Sequence, residues 1–72
     1  MIVTAKIGAI EIFGNEVRVA VIKTGGRLPK ILELQSCKAE YDSPEDRVTA
    51  LVQALNTALD NLKIHPATYV LC

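Results

Sequence analysis

The sequence predicts an α/β domain: three strands, a helix and a fourth strand, forming one mixed sheet in the order 3-2-1-4 with a single crossover helix. Three observations predict it. Two glycine-marked turns, Gly14-Asn15 and Gly25-Gly26, separate three apolar strand-like runs. A segment with a helix-start signal and helical spacing of apolar residues begins at Ser43. After Pro66 the chain returns to an apolar run, Tyr69-Val70-Leu71-Cys72.

The first strand reads from Ile2 to Phe13. Val3, Ala5, Ile7 and Ala9 alternate with Thr4, Lys6 and Gly8, and Ile10 and Ile12 fall on the second face, so its end is apolar on both sides. Gly14-Asn15 is a tight-hairpin signal, because glycine accepts the positive φ that such a turn demands. Val17 to Lys23 is the return strand, apolar on both faces at Val19-Ala20-Val21-Ile22. Thr24-Gly25-Gly26-Arg27 forms the second turn. A third strand runs from about Lys30 to Tyr41, and its polar second half (Gln35, Lys38, Glu40) reads as a solvated edge.

Ser43 is placed as an N-cap, with Pro44 at the first helical position and Glu45 and Asp46 in the first turn. Asp46 stands where a capping box has Glu, a weaker version of that motif. The apolar stripe is Val48, Leu51, Val52, Leu55, Leu59 and Leu62, opposite Arg47, Gln53, Asn56 and Asp60. The helix is expected to end near Leu62 or Lys63, because Pro66 disfavours helix at His65. A short strand, Ala67 to Cys72, closes the pattern. Two tight turns make the first three strands an antiparallel meander. A right-handed crossover through the helix then sets the fourth strand beside the first and parallel to it.

Length and composition narrow the function classes. At 72 residues the chain is a single, partial domain (1–72), of a size that buries only about 60% of its unfolded surface. Eight basic and eight acidic residues give zero net charge, which argues against a general nucleic-acid binder. Half the residues are hydrophobic, which argues against disorder, and no apolar run approaches the roughly 18 residues of a membrane span. The N-terminus lacks the basic stretch and apolar core of a signal peptide. Cys37, Cys72 and His65 lie on different elements, so they make no metal set. Strand order 3-2-1-4 puts the two cysteines on opposite edges, about 14 Å apart, beyond the reach of an intrachain disulfide. They read as two reduced thiols. His65 is expected beside the helix C-terminal carbonyls. Ser43 is occupied as a cap, and no Ser/His/Asp set is specified.

One amphipathic helix covers one sheet face, yet the central strands are apolar on both. The uncovered patch is expected to exceed the few hundred Å² usual for a soluble monomer. A protein partner, the remainder of the same polypeptide or a second copy in a homodimer is expected to cover it. The abrupt ending on an apolar strand points the same way, to a fragment of a longer protein or a dimerising subunit.

Meander, helix, strand is also how the actin-like ATPase fold, within the ribonuclease H-like class, begins. That superfamily carries an Asp-x-Gly-x-Ser/Thr phosphate loop at its first hairpin and a basic residue a little later on strand two. Here Ile10-Glu11-Ile12-Phe13-Gly14-Asn15-Glu16-Val17-Arg18 occupies that place. Within the superfamily the chain most resembles the PilM-like proteins of type IV pilus assembly and their competence and type II secretion relatives. Their N-termini read as a short hydrophobic strand, this hairpin with a Val-basic pair (here Val17-Arg18), a Pro-Glu-led helix rich in Ala and Leu (here Pro44-Glu45), and an apolar strand. The resemblance spans nearly all 72 residues and rests mostly on pattern.

Carried over position by position, Glu11 falls on the Asp, Phe13 on the Gly, Asn15 on the hydroxyl residue and Arg18 on the basic residue, with Gly14 one position late. A phenylalanine there obstructs the close approach of backbone N–H groups to phosphate, and the longer acid shifts a water-mediated Mg²⁺ contact. The resemblance thus implies Glu11, Gly14, Asn15 and Arg18 as a degenerate phosphate loop. It implies no cofactor for this chain, with ATP and Mg²⁺ belonging to a full-length parent. The residues alone allow a plainer reading, in which Glu11 and Arg18 are an ordinary cross-strand charge pair. Phe13 reads either as a partner anchor or as packing over the sheet.

The resemblance also implies a non-catalytic scaffold role. The chain would be the N-terminal subdomain, a ribonuclease H-like half-domain, of a cytoplasmic protein. That protein sits peripherally at the inner membrane and meets the membrane only through a partner's short cytoplasmic tail. Two alternatives stand beside it: the first lobe of a sugar or acetate kinase-like ATPase, and a free-standing dimeric interaction domain.

Overall fold

The structure is a computed structural model that describes residues 5–72. Its element order is β1 (Ala5–Phe13), β2 (Glu16–Thr24), β3 (Lys30–Lys38), a 3-10 turn (Pro44–Asp46), α1 (Arg47–Asp60) and β4 (Thr68–Leu71). The four strands make one sheet in the order β3-β2-β1-β4, with β1–β2 and β2–β3 antiparallel and β1–β4 parallel. The α/β class, the strand order and the single crossover helix are those the sequence predicts. The start of the first strand at Ile2, Val3 and Thr4 lies outside the described residues.

Gly14 sets the hairpin. Its φ of +61° at the first turn position, with no positive φ at Asn15, matches a two-residue turn that carries glycine first. Phe13 therefore faces Glu16, and residues equidistant from the turn face each other along the ladder. Val17, Val19 and Val21 alternate onto the helix side and are fully buried. The opposite side carries Arg18, Ala20 and Ile22. β3 follows β2 in register until an irregularity at Val21/Ile22. It is shorter than expected, ending at Lys38. There the Ala39 N–H turns aside to donate to the Asn15 carbonyl at 2.6 Å, and Ala39 is buried.

The helix opens as its sequence requires, with two differences. The Ser43 hydroxyl accepts from the Glu45 N–H at 3.4 Å and Pro44 begins the first turn, but that turn is 3-10 and Asp46 makes no side-chain cap. The buried face is also rotated from the expected stripe. Ala50, Leu51, Ala54, Ala58 and Leu62 are buried, Leu55 and Leu59 are half-buried, and Val48 and Val52 are 68% and 51% exposed. The reason is size. Ala50, Ala54 and Ala58, four apart, form a ridge of short side chains that lets the helix backbone sit close on the branched row Val17-Val19-Val21. A wider leucine stripe would hold it off. The helix consequently packs on β2 and β3. Much of the helix side of β1 and β4 is left open: Ile12, Tyr69 and Leu71 are 41%, 40% and 69% exposed, while Ile10 packs against the core.

α1 ends at Asp60, two or three residues earlier than expected. Glu33 explains this. Its carboxylate accepts from the Lys63 N–H at 3.0 Å, the Ile64 N–H at 3.0 Å and the Gln35 side chain at 3.0 Å. Two amides that would otherwise look back along the helix point to β3 instead. Chiefly through the Gln35 bond, and then through those of Ile64 and Lys63, Glu33 is held below the usual carboxylate range.

β4 is placed by close packing. Gly8 faces Tyr69, and a β-carbon on Gly8 would overlap the Tyr69 ring and come within 3.0 Å of Pro66. The glycine is needed for that close approach.

Two predictions follow from these contacts. Gly8→Ala should destabilise the fold by about 1–3 kcal/mol, the range for overpacking, read as a lower denaturant midpoint at unchanged slope. Glu33→Gln should destabilise it at neutral pH. Because the folded form lowers the Glu33 pKa, its advantage over glutamine is complete above the ordinary value of 4.5 and shrinks as pH falls below it. Urea melts of both proteins between neutral pH and pH of about 3 should converge toward the acid end.

Candidate functional site

The residues that the resemblance assigns to a phosphate loop come together at the β1–β2 hairpin. Glu11 and Arg18 are direct partners in the ladder. They lie on the side of the sheet away from α1, and their charged groups approach to 3.8 Å, each side chain about half exposed. The shorter contact of Arg18 is with Glu16, whose carboxylate accepts from Nε at 2.9 Å. That hydrogen bond first, then the charge of Glu16 and that of Glu11, raises the guanidinium pKa further and keeps it charged. Gly14 and Asn15 occupy the two turn positions.

The hairpin tip is anchored through its carbonyls. The Gly14 carbonyl accepts from the Arg47 guanidinium at 3.0 Å, and the Asn15 carbonyl accepts from the Ala39 N–H. Arg47 begins α1, so one side chain ties the first helical turn to the first hairpin. Phe13 is 71% exposed, which settles its placement: it projects from the hairpin and does not pack over the sheet. Chemically, this end offers a zwitterionic trio, Glu11, Arg18 and Glu16, and one exposed ring. It has two acids to one base on the sheet side, an unfavourable balance for a nucleotide phosphate chain.

At the opposite end of the sheet is an open cleft of about 620 Å³, lined in part by Lys6, Lys23, His65, Pro66 and Thr68. His65 was expected beside the helix C-terminal carbonyls and is found here, exposed, because the loop after Asp60 is drawn toward Glu33 and then over Gly8. Sequence reasoning passed over this cleft. The signal was available in part, since Lys6 and Lys23 are equidistant from the Gly14-Asn15 turn and must face each other. Cys37 and Cys72 are free thiols, one on β3 and one directly after β4, at the two sheet edges. Among the described residues there is no cluster of three metal-ligating side chains, and no helix is long and apolar enough to cross a membrane.

Comparison of the chain with family models, with curated proteins and with solved structures finds no match.

Replacing Arg47 with alanine should loosen the join between hairpin and helix. The expected cost is about 1 kcal/mol or less for one exposed hydrogen bond, with the Gly14 and Asn15 amides exchanging faster by NMR while β4 amides are unchanged.

Proposed function

We propose that this chain is a non-catalytic assembly module. It is the N-terminal, ribonuclease H-like subdomain of a PilM-like actin-fold protein, serving bacterial type IV pilus or secretion machinery on the cytoplasmic side of the inner membrane. The observation that carries an interaction role is the apolar surface left open on both faces of the sheet. Away from the helix, Ile31, Leu34 and Val70 are 66%, 61% and 48% exposed, around half-buried Ile7, Ala9, Ala20 and Ile22. On the helix side, Val48 and Val52 look across bare Ile12 and Leu71.

Dimensions say what fits the helix side. The two uncovered strands span about 10 Å at the usual spacing, which is the width one further helix occupies beside its neighbour. The occupant of this trough is an amphipathic helix, supplied by the rest of the parent chain or by a partner. The link to pilus and secretion machinery comes from the likeness of the Val17-Arg18 hairpin and the Pro44-Glu45 helix start. A scaffold role is also supported by the hairpin, where Glu11 is paired with Arg18 and both turn carbonyls are engaged.

Analytical ultracentrifugation of the 72-residue chain tests this reading. Self-association that grows with concentration is expected, and Val52→Glu and Leu34→Glu should each weaken it. Both positions are exposed, so thermal stability should change by no more than about 0.5 kcal/mol. A strict monomer at all concentrations that also fails to bind an apolar-surface dye such as ANS overturns the interaction role. In parallel, Mg-ATP should leave the melting temperature of a full-length parent unchanged through the hairpin; a large upward shift that Arg18→Gln abolishes and Lys23→Gln leaves in place would instead favour a kinase-like ATPase lobe.

A further inference from the structure

Zero net charge conceals a strong separation along the strands. The end where β1 begins and β2 finishes holds Lys6, Lys23, Arg27, Lys30 and Lys63, against Glu33 and Asp60. The hairpin end carries an excess of acids over Arg18, Lys38 and Arg47. At the basic end the register does something specific. Lys6 pairs with Lys23, and Lys23 pairs with Lys30, so three lysines stand side by side on three adjacent strands. All three fall on the helix side, but α1 stops at Asp60 and leaves them exposed.

Like charges directly opposite on neighbouring strands are destabilising, and here two such pairs share their middle member. Among the described residues the ion pairs are those of Arg18 with Glu11 and Glu16, so no carboxylate neutralises the row. Glu33, the acid nearest on this face, has both oxygens turned to the Lys63 and Ile64 amides. Lys6 and Lys23 instead line the 620 Å³ cleft together with His65 and Thr68. That volume lies within the range of small-ligand sites.

We infer that this lysine row is a binding site for a compact anion carrying two or more phosphate groups. Three ammonium groups on strands about 5 Å apart reach across roughly 10 Å, more than a single phosphate spans. His65 lines the cleft beside Lys6 and Lys23, and Lys30 continues the row outside it. The excess of acids at the far end repels an extended polyanion, which favours a small ligand over a nucleic-acid strand. The assignment stands independently of the proposed function, because it uses neither the hairpin nor the apolar surfaces.

Calorimetric titration at low salt tests it, with tripolyphosphate, pyrophosphate, orthophosphate and a short single-stranded DNA as probes. Saturable one-site binding is expected, tightest for tripolyphosphate and weakest for orthophosphate, with a rise in melting temperature. Lys23→Gln and Lys30→Gln should each weaken tripolyphosphate roughly tenfold, the scale of one charge-assisted hydrogen bond, whereas Lys38→Gln at the other end should not. Without ligand, Lys23→Gln should melt no lower than the parent, since it removes repulsion. Absence of saturable binding, equal weakening by Lys38→Gln, or tighter binding of the DNA than of tripolyphosphate would each overturn the assignment.

Discussion

The rest of the molecule is arranged around one interface, the alanine ridge Ala50-Ala54-Ala58 lying on the valine row Val17-Val19-Val21. These residues, with Leu51, Leu62 and Ala39, are the buried core. Short side chains on the helix and branched ones on the strand give a close, shallow contact over two strands. Everything else is a consequence of where that contact sits. A helix committed to β2 and β3 cannot also shelter β1 and β4, so the sheet is half-roofed on one side and bare on the other. For a chain this small such an arrangement leaves little margin, since a domain of this size depends on nearly every apolar side chain it can bury.

The two polar devices act at the ends of this interface. Arg47 fastens the start of α1 to the hairpin through the Gly14 carbonyl, and Glu33 fastens the segment after α1 to β3 through two backbone amides. Each joins elements distant in sequence, and each satisfies groups at a helix end or turn that otherwise rely on water. Together they fix the helix axis at both ends, and the alanine ridge fixes its height.

The meander, the crossover and the strand order were legible because each depends on local signals: glycine at the turns, Ser43-Pro44 at the helix start, Pro66 before the last strand. Pairing across the hairpin was legible too, and it places Glu11 opposite Arg18 and Lys6 opposite Lys23. The rotation of the helix was not. Leucine and valine outweigh alanine in any reading of hydrophobic spacing, but which stripe faces the sheet is settled by steric fit to Val17, Val19 and Val21. The partner of Lys30 was hidden for a different reason. The irregularity opposite Val21/Ile22 resets the register of β3, and nothing in the turn Gly25-Gly26 announces it. The early end of α1 depended on Glu33, thirty residues away in the chain, so no local pattern could give it.

The close approach of Tyr69 to Gly8 bears on how the domain assembles. Hairpin, third strand and helix are joined by short connections and share the alanine–valine contact, so they form a cooperative unit. β4 has only four residues, all exposed, and it docks through a parallel ladder and one aromatic ring seated on a glycine. Short and exposed, its amides are expected to exchange with solvent faster than those of β2. As the edge of the sheet, β4 presents its outer backbone groups where a strand from another molecule can extend the ladder.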